Sequence, residues 1–203
     1  MGHYTGPKSR INRRLGTMIY ESAGARRAYE RRDNSMPGMH ARRGKMSNYG
    51  LALLEKQKIK HFYGLSERQL RRLYDESVRH PGNTGEYLLT LCELRLDNVI
   101  RRAGLTLTRP QARQGVAHGH FYVDGRRCDI PSRILRPGEV VYVKPREGLQ
   151  KIYRGIGETE GGQIAGYLSL DLPRLTIRVE RLPMAEDVSL PVEVGSVIEL
   201  LSR

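Results

Sequence analysis

The first 48 residues constrain the fold most, because they are rich in arginine and glycine and poor in aliphatic side chains. Arginine pairs recur at 13–14, 26–27, 31–32 and 42–43. Such a segment cannot bury enough apolar area to offset the entropy lost on ordering. Residues 1–48 are therefore predicted to be a basic N-terminal arm that orders against a phosphate surface, with short helical turns allowed near Thr17–Arg32.

Positive charge is concentrated in two blocks of the chain. The 35 lysines and arginines exceed the 22 acidic residues, which gives a formal net charge of +13. Residues 1–80 carry 18 basic and 7 acidic residues, and residues 94–150 carry 11 and 5. Arginine dominates, and its planar guanidinium suits phosphate and stacks on bases, which favours nucleic acid over a membrane surface. The alternative is an ordinary soluble protein with a solvated basic surface.

Composition excludes several other classes. No apolar run approaches the ~18–20 residues that a membrane span needs. Met1-Gly2-His3-Tyr4 precedes no apolar stretch, so no secretory signal is expected. Two cysteines are too few for a disulfide framework and indicate a reduced, cytosolic protein. With 203 residues, the chain is long enough for one large domain or two small ones.

Residues 49–93 are predicted to form a small helical domain. Ser47 can cap a helix that runs to about Tyr63 and is closed by Gly64. Ser66 with Gln69 is a capping-box pattern for a second helix, and a nearly apolar third helix follows Pro81-Gly82-Asn83. Residues 186–203 are a candidate addition to this domain, and their apolar end leaves helix and strand open.

Residues 94–185 are predicted to form an α+β module of two helices on a small, mostly antiparallel sheet. Asp97 is interpreted as the N-cap of the first helix, and Thr108 with Gln111 as the capping box of the second. Asp124-Gly125 between β-prone runs predicts a hairpin. A strand is expected over 139–144 and another over 175–180, with a Gly-rich loop over 147–166.

The helix from Thr108 places Arg109 and Arg113 four residues apart, near a helix N-terminus whose dipole and N–H groups favour anions. Gln111 and Gln114 lie at the edges of the same face. The arginine pair indicates contact with phosphates of a folded RNA, and the alternative is a solvated face of an ordinary helix.

The sequence carries no recognisable catalytic or metal-binding signature. Gly155 and Gly157 begin a Gly-rich pattern, but the sixth position is Glu160 and no phosphate-loop lysine follows. His118-Gly119-His120 lacks paired ligands at zinc spacing, so turn or RNA contacts are favoured over a metal. No catalytic residue, metal, cofactor or small-molecule substrate is expected.

Several motifs of the module resemble a known family. Arg95-Leu96-Asp97-Asn98-Val99, Arg109-Pro110-Gln111-Ala112-Arg113-Gln114 and His118 to Arg126 are similar to the RNA-binding module named after the fourth protein of the small ribosomal subunit. Flanking runs such as Tyr4-Thr5-Gly6-Pro7-Lys8 and Gly82-Asn83-Thr84-Gly85-Glu86 narrow the resemblance to the bacterial and organellar ribosomal family itself. The resemblance covers about residues 1–150. Some members carry four N-terminal zinc-binding cysteines, which residues 1–48 lack.

The resemblance implies a structural constituent of the small ribosomal subunit. It would bind 16S rRNA directly at a multi-helix junction of the 5′ domain, nucleate assembly and contribute to translational accuracy. Implied neighbours are small-subunit ribosomal protein five and the messenger RNA entry path, in a cytoplasmic or organellar ribosome. The alternatives are an RNA-modifying enzyme or an mRNA-binding regulator that uses the same module.

The residues expected to contact RNA are basic, amide, histidine or tyrosine side chains on these segments. They are Lys8, Arg10, Arg13, Arg14, Arg42, Arg43, Lys45, Tyr49, Lys56, Lys58, Arg68, Arg71, Arg72, Arg95, Arg109, Gln111, Arg113, Gln114, His118, His120, Arg126 and Arg127.

Overall fold

The computed structural model describes residues 4–31, 35–39, 44–160 and 164–202. Its elements follow in chain order: α1 (Lys8–Leu15), α2 (Ala23–Arg31), α3 (Asn48–Phe62), α4 (Glu67–Arg79), α5 (Thr84–Glu93), α6 (Leu96–Arg102), α7 (Arg109–Ala117), β1 (Phe121–Val123), β2 (Arg126–Arg127), β3 (Val140–Val143), α8 (Glu147–Glu160), β4 (Leu168–Asp171), β5 (Thr176–Val179), a 3₁₀ turn (Ala185–Asp187) and α9 (Val194–Ser202). The predicted α+β class is confirmed. Within those described ranges, no helix combines the length and apolar character needed to cross a bilayer.

The chain divides into two compact units, residues 1–85 with 190–203 and residues 86–189. The first unit is helical. In it α1 packs on α2 and α3, and α9 packs on α3 and α4. The C-terminal segment, which the sequence left open between helix and strand, is the helix α9.

Helix signals in the first unit are confirmed where capping chemistry marked them. The Ser47 hydroxyl accepts from the Gly50 N–H at 3.2 Å, and Gly64 ends α3 with a left-handed φ of 62°. At α4 both halves of the capping box are present, with Ser66 N–H donating to Gln69 Oε1 at 2.9 Å. Each cap satisfies backbone donors that the first turn of a helix leaves without partners.

The N-terminal segment is more ordered than its composition indicates, because polar and aromatic contacts replace an aliphatic core. The buried Asn12 side chain donates to the Tyr20 carbonyl at 3.0 Å and accepts from the Ile19 and Tyr20 N–H groups. The centroid of the Tyr20 ring lies 6.2 Å from that of Tyr4, and the Tyr20 hydroxyl hydrogen-bonds with His61 Nδ1 at 3.2 Å. Residues 8–15 and 23–31 are therefore helical, whereas helical turns were allowed only near Thr17–Arg32.

The second unit is built on a five-stranded antiparallel sheet of order β2-β1-β3-β5-β4. The predicted hairpin is confirmed, since Asp124 and Gly125 both have left-handed φ values of 47° and 81°, as a tight type I′ turn requires. The inner face of the sheet supplies Phe121, Val141 and Ile177 to a core that α6 and α7 complete.

The Gly-rich loop predicted over residues 147–166 was wrong, because residues 147–160 form α8. Leu149, Tyr153 and Gly157 recur every four residues and share one helix face. Tyr153 is buried in the core, and Leu149 packs against it. A Cβ on Gly157 would lie 2.5 Å from the Leu172 side chain, so this glycine allows close packing and does not mark a loop.

A buried carboxylate ties α5 to α6 and β4. The fully buried Glu93 accepts from Asn98 Nδ2 at 2.8 Å and from the Tyr167 hydroxyl at 3.0 Å, and Arg102 Nε lies 3.4 Å away. Burial, followed by the Glu93 charge, raises the pKa of Tyr167, so its hydroxyl remains a proton donor. A buried charge is tolerated only when it is paired and hydrogen-bonded in this way.

Replacing Glu93 with alanine should destabilise the second unit by about 3–5 kcal/mol, because the Arg102 guanidinium and two buried donors lose their partner. Urea unfolding followed by circular dichroism measures the change. Glu158→Gln, an exposed carboxylate on α8, is the control and should leave the midpoint unchanged. Equal midpoints for Glu93→Ala and the control would contradict the role given to Glu93.

Candidate RNA-binding surface

The start of α7 is fixed by its cap. Thr108 Oγ1 accepts from the Gln111 N–H at 3.4 Å, and Pro110 lies in the first turn. The predicted cap is confirmed. The Gln111 side chain, however, accepts from the Leu107 N–H at 2.9 Å, one residue before the position that a capping box would use. The helix N-terminus still presents its partial positive charge beside Arg109.

Two polar side chains of α6 hold the two arginines of α7. Arg109 Nε donates to Asn98 Oδ1 at 2.8 Å. Arg113 Nη1 lies 3.3 Å from Asp97 Oδ2, in a pair whose side chains are 17% and 6% exposed. A guanidinium that is already fixed loses less conformational freedom when it binds phosphate. The structure therefore makes this pair a preorganised group, which differs from a solvated helix face.

The sequence indicated Asp97 as the N-cap of α6, and this prediction was wrong. The helix begins at Leu96 with Arg95 as N-cap. Asp97 lies in the first turn, where its carboxylate accepts from Arg95 Nε at 3.1 Å and Nη2 at 2.9 Å. Arg95 is only 2% exposed. Its guanidinium is therefore buried against the Asp97 carboxylate, which also pairs with Arg113, and it is not available for the RNA contact expected from the sequence.

The β1–β2 hairpin lies against the end of α7. The guanidinium of Arg127 covers Gly119, where a Cβ would lie 2.5 Å from Arg127 Nε. His118 is exposed, and its ring centroid is 5.8 Å from that of His120. We name the group Arg109, Gln111, Arg113, Gln114, His118, His120, Arg126 and Arg127 the α7 surface. Among the described residues, no three His, Cys, Asp or Glu side chains group to hold a metal ion.

The basic residues predicted in the first unit fall into different settings. Arg10, Arg14, Lys45, Arg68, Arg71 and Arg72 are exposed. Lys56 and Lys58 are paired with Glu67 and Glu55, each at 2.6 Å. Arg42 and Arg43 lie outside the described residues.

The α1 residues differ in the same way. Arg13 is 7% exposed, and its Nη1 donates to the Ser35 carbonyl at 3.3 Å. Lys8 Nζ lies 5.9 Å from the Tyr20 ring centroid, a cation–π distance. Both side chains therefore contribute to the packing of the N-terminal segment.

Two exposed cations beside the α7 surface were missed. Lys144 and Arg146 follow β3, and the Lys144 N–H donates to the His120 carbonyl at 2.7 Å. Burial is the main cause that lowers the pKa of His120, and the positive charges of His118, Lys144 and Arg146 lower it further. Strand pairing would have identified these cations, because Phe121 pairs with Val143 and this register places Lys144 next to His120.

The lowered pKa of His120 predicts a loss of stability in acid. Protonation favours the unfolded chain once the pH falls below the ordinary value of 6.5, so stability declines from there until the pH passes the folded pKa. The urea midpoint of His120→Gln should therefore fall less between pH 7 and 5 than that of the unmodified chain. His61, whose pKa burial also lowers, acts equally in both proteins. Parallel pH profiles would contradict this assignment.

Comparison with known families matches two consecutive parts of the chain. Residues 3–93 match the family described as ribosomal protein S4/S9 N-terminal domain, and residues 94–141 match the S4 domain. Three relatives called small ribosomal subunit protein uS4 match over the full length of both chains. The identities are 56% over 203 residues for Rhodopirellula baltica, 43% over 205 for Rubrobacter xylanophilus and 42% over 209 for Chloroflexus aurantiacus. At this identity and coverage, the chain belongs to the uS4 family of small ribosomal subunit proteins, a structural and non-enzymatic family.

Proposed function

We propose that this uS4 protein binds 16S rRNA directly at a multi-helix junction of the 5′ domain, in the cytoplasmic ribosome. Binding there would nucleate assembly of the small subunit and contribute to translational accuracy. Family membership supports a ribosomal RNA-binding role. The observation that carries the proposal is the α7 surface, where Asn98 and Asp97 fix two arginines beside a helix N-terminus.

The chemistry of this surface fits a folded RNA better than a sequence-specific target. Guanidinium groups and helix N–H groups bind phosphate oxygens, which position an RNA without reading its bases. Arg126, Arg127 and Gln114 are exposed around the arginine pair. Binding is therefore expected to depend on the shape of the junction and on salt.

The salt dependence tests this mode of binding. If about ten phosphates are neutralised, the logarithm of affinity should fall with the logarithm of salt with a slope of about −7 to −9. This slope is measured by filter binding of the full chain to a 5′-domain fragment of 16S rRNA at about 50 to 400 mM KCl. A slope shallower than about −3 would contradict an interface made mainly of phosphate contacts.

Arg109→Gln and Arg113→Gln should each weaken junction binding several-fold and reduce the salt slope by about 1. Arg174→Gln is the matched control, because its side chain is 84% exposed on the β4–β5 turn. Circular dichroism confirms folding. Unchanged affinity in both α7 variants would remove the α7 surface from the binding site.

A groove in the first unit supports the proposed contact with small-subunit ribosomal protein five. It has a volume of about 380 Å³ and is lined by residues of α3 and α9 that include Tyr49, Leu51 and Glu199, and by Glu193 just before α9. Tyr49 and Leu51 are 59% and 51% exposed. Two carboxylates disfavour phosphate here, so we assign Tyr49 to a protein contact in place of the RNA contact expected from sequence. Proximity to the messenger RNA entry path remains part of the same proposal.

Tyr49→Ala combined with Leu51→Ser should weaken binding of purified ribosomal protein five at least tenfold, because these exposed apolar side chains form the centre of the contact. Binding of the 16S rRNA fragment should not change. Val78→Ser, which alters an equally exposed apolar residue on α4, is the control. Isothermal titration calorimetry measures the protein contact, and equal affinity of all three proteins would place that contact elsewhere.

A further inference from the structure

The outer face of the sheet in the second unit carries an aromatic pair that the α7 surface does not use. Tyr122 on β1 and Tyr142 on β3 are directly paired across the strands. Their rings are nearly parallel, with an interplanar angle of 14° and centroids 5.4 Å apart. Both side chains are half-buried.

Strand alternation places these tyrosines opposite the core. Phe121, Val123, Val141 and Val143 point inward and belong to the hydrophobic core. Successive side chains of a strand point to opposite faces, so Tyr122 and Tyr142 lie on the outer face. The register extends this row to Arg127 on β2 and Thr176 on β5.

Charge on the outer face is uneven. Arg127 is paired with Tyr122, Lys144 follows Tyr142 by two residues, and both are exposed. Arg178 is also exposed on this face, paired with Val140. The β2–β1–β3 half of the face is therefore cationic and aromatic.

The carboxylates on or near this face are held elsewhere. Asp171 is on the far strand β4, 3.7 Å from Arg174. Glu180 lies just past β5 and accepts from the Ser169 hydroxyl. Asp124, in the hairpin turn, accepts from the Val140 N–H at 2.9 Å. The register places Asp171 at the far end of the row, next to Thr176 and two strands away from Tyr142.

We propose that this cationic half of the outer sheet face is a second RNA-binding surface, which takes an unpaired RNA segment by stacking bases on Tyr122 and Tyr142 while Lys144 binds a flanking phosphate. Three strands span about 10 Å, which is room for about two bases. Aromatic rings on an open sheet with neighbouring cations bind single strands with little sequence preference, because every base has a π-face. This surface is distinct from the α7 surface and does not depend on junction binding.

The test uses the full chain and a fluorescein-labelled 12-nucleotide oligouridylate, which cannot pair with itself. The double variant Tyr122→Leu with Tyr142→Leu keeps apolar side chains but removes both π-faces, and it should weaken anisotropy-measured binding about tenfold. The matched control, Tyr122→Phe with Tyr142→Phe, keeps the rings and should bind within about twofold of the unmodified chain. Lys144→Gln should reduce the salt slope by about 0.7.

Two further readouts separate this surface from the junction site. Affinity of the two tyrosine double variants for the 5′-domain fragment should equal that of the unmodified chain, and a saturating concentration of that fragment should not displace the oligouridylate. Replacing uridines by 4-thiouridine and irradiating should cross-link the oligonucleotide to the peptides that contain Tyr122 or Tyr142.

The proposal is overturned if the unmodified chain does not bind the oligouridylate, if the leucine and phenylalanine pairs bind equally, or if cross-links fall only outside the sheet. Complete displacement by the junction fragment would also overturn it, because the oligonucleotide would then occupy the junction site. Should the leucine pair fail to fold, the Lys144→Gln slope and the cross-link positions still decide. Loss of junction binding alone would instead contradict the proposed function.

Discussion

The second unit depends on a chain of buried polar contacts centred on the start of α6. Glu93, Asp97 and Asn98 are all buried, and each has hydrogen-bonding or ionic partners elsewhere in the unit. Such groups are costly to bury unless hydrogen-bonded, so this network specifies one arrangement of α5, α6, α7 and β4. A core of aliphatic residues alone would tolerate several packings.

The same network orients the arginines of the proposed RNA-binding surface. Asn98 donates to Glu93 through its amide nitrogen and accepts from Arg109 through its oxygen. Asp97 is shared in the same way between the buried Arg95 and the more exposed Arg113. Each interior residue thus orients one surface arginine, which explains why polar residues occupy positions that a purely structural helix would give to leucine or valine.

Sequence reasoning succeeded at most positions where the signal is local, although the predicted cap at Asp97 was wrong. Caps at Ser47, Ser66 and Thr108 and the Asp124-Gly125 turn depend on contacts within a few residues, and the structure has each of them. It failed where tertiary packing decides. Gly157 indicates a loop in the sequence, whereas in the structure it allows the Leu172 side chain to pack closely against α8. The sequence likewise does not indicate that the Asn12 side chain accepts hydrogen bonds from the Ile19 and Tyr20 N–H groups.

The general location of the candidate site was predictable from the sequence, but not which of its cations are exposed and which are buried or paired. The sequence placed Arg95, Lys56 and Lys58 in the same predicted site as Arg109 and Arg113. It shows which residues are charged, but not which of them are already paired with a carboxylate. In the structure Lys56 and Lys58 are paired with carboxylates of their own unit, and phosphate would have to compete for them. Arg113 also faces a carboxylate, yet Asp97 already has the Arg95 guanidinium as its principal partner. A positive charge added to a carboxylate that is already neutralised keeps most of its attraction for phosphate. Under the proposed function, net local charge around each cation, and not the number of cations, is therefore expected to determine which parts of this basic chain hold RNA.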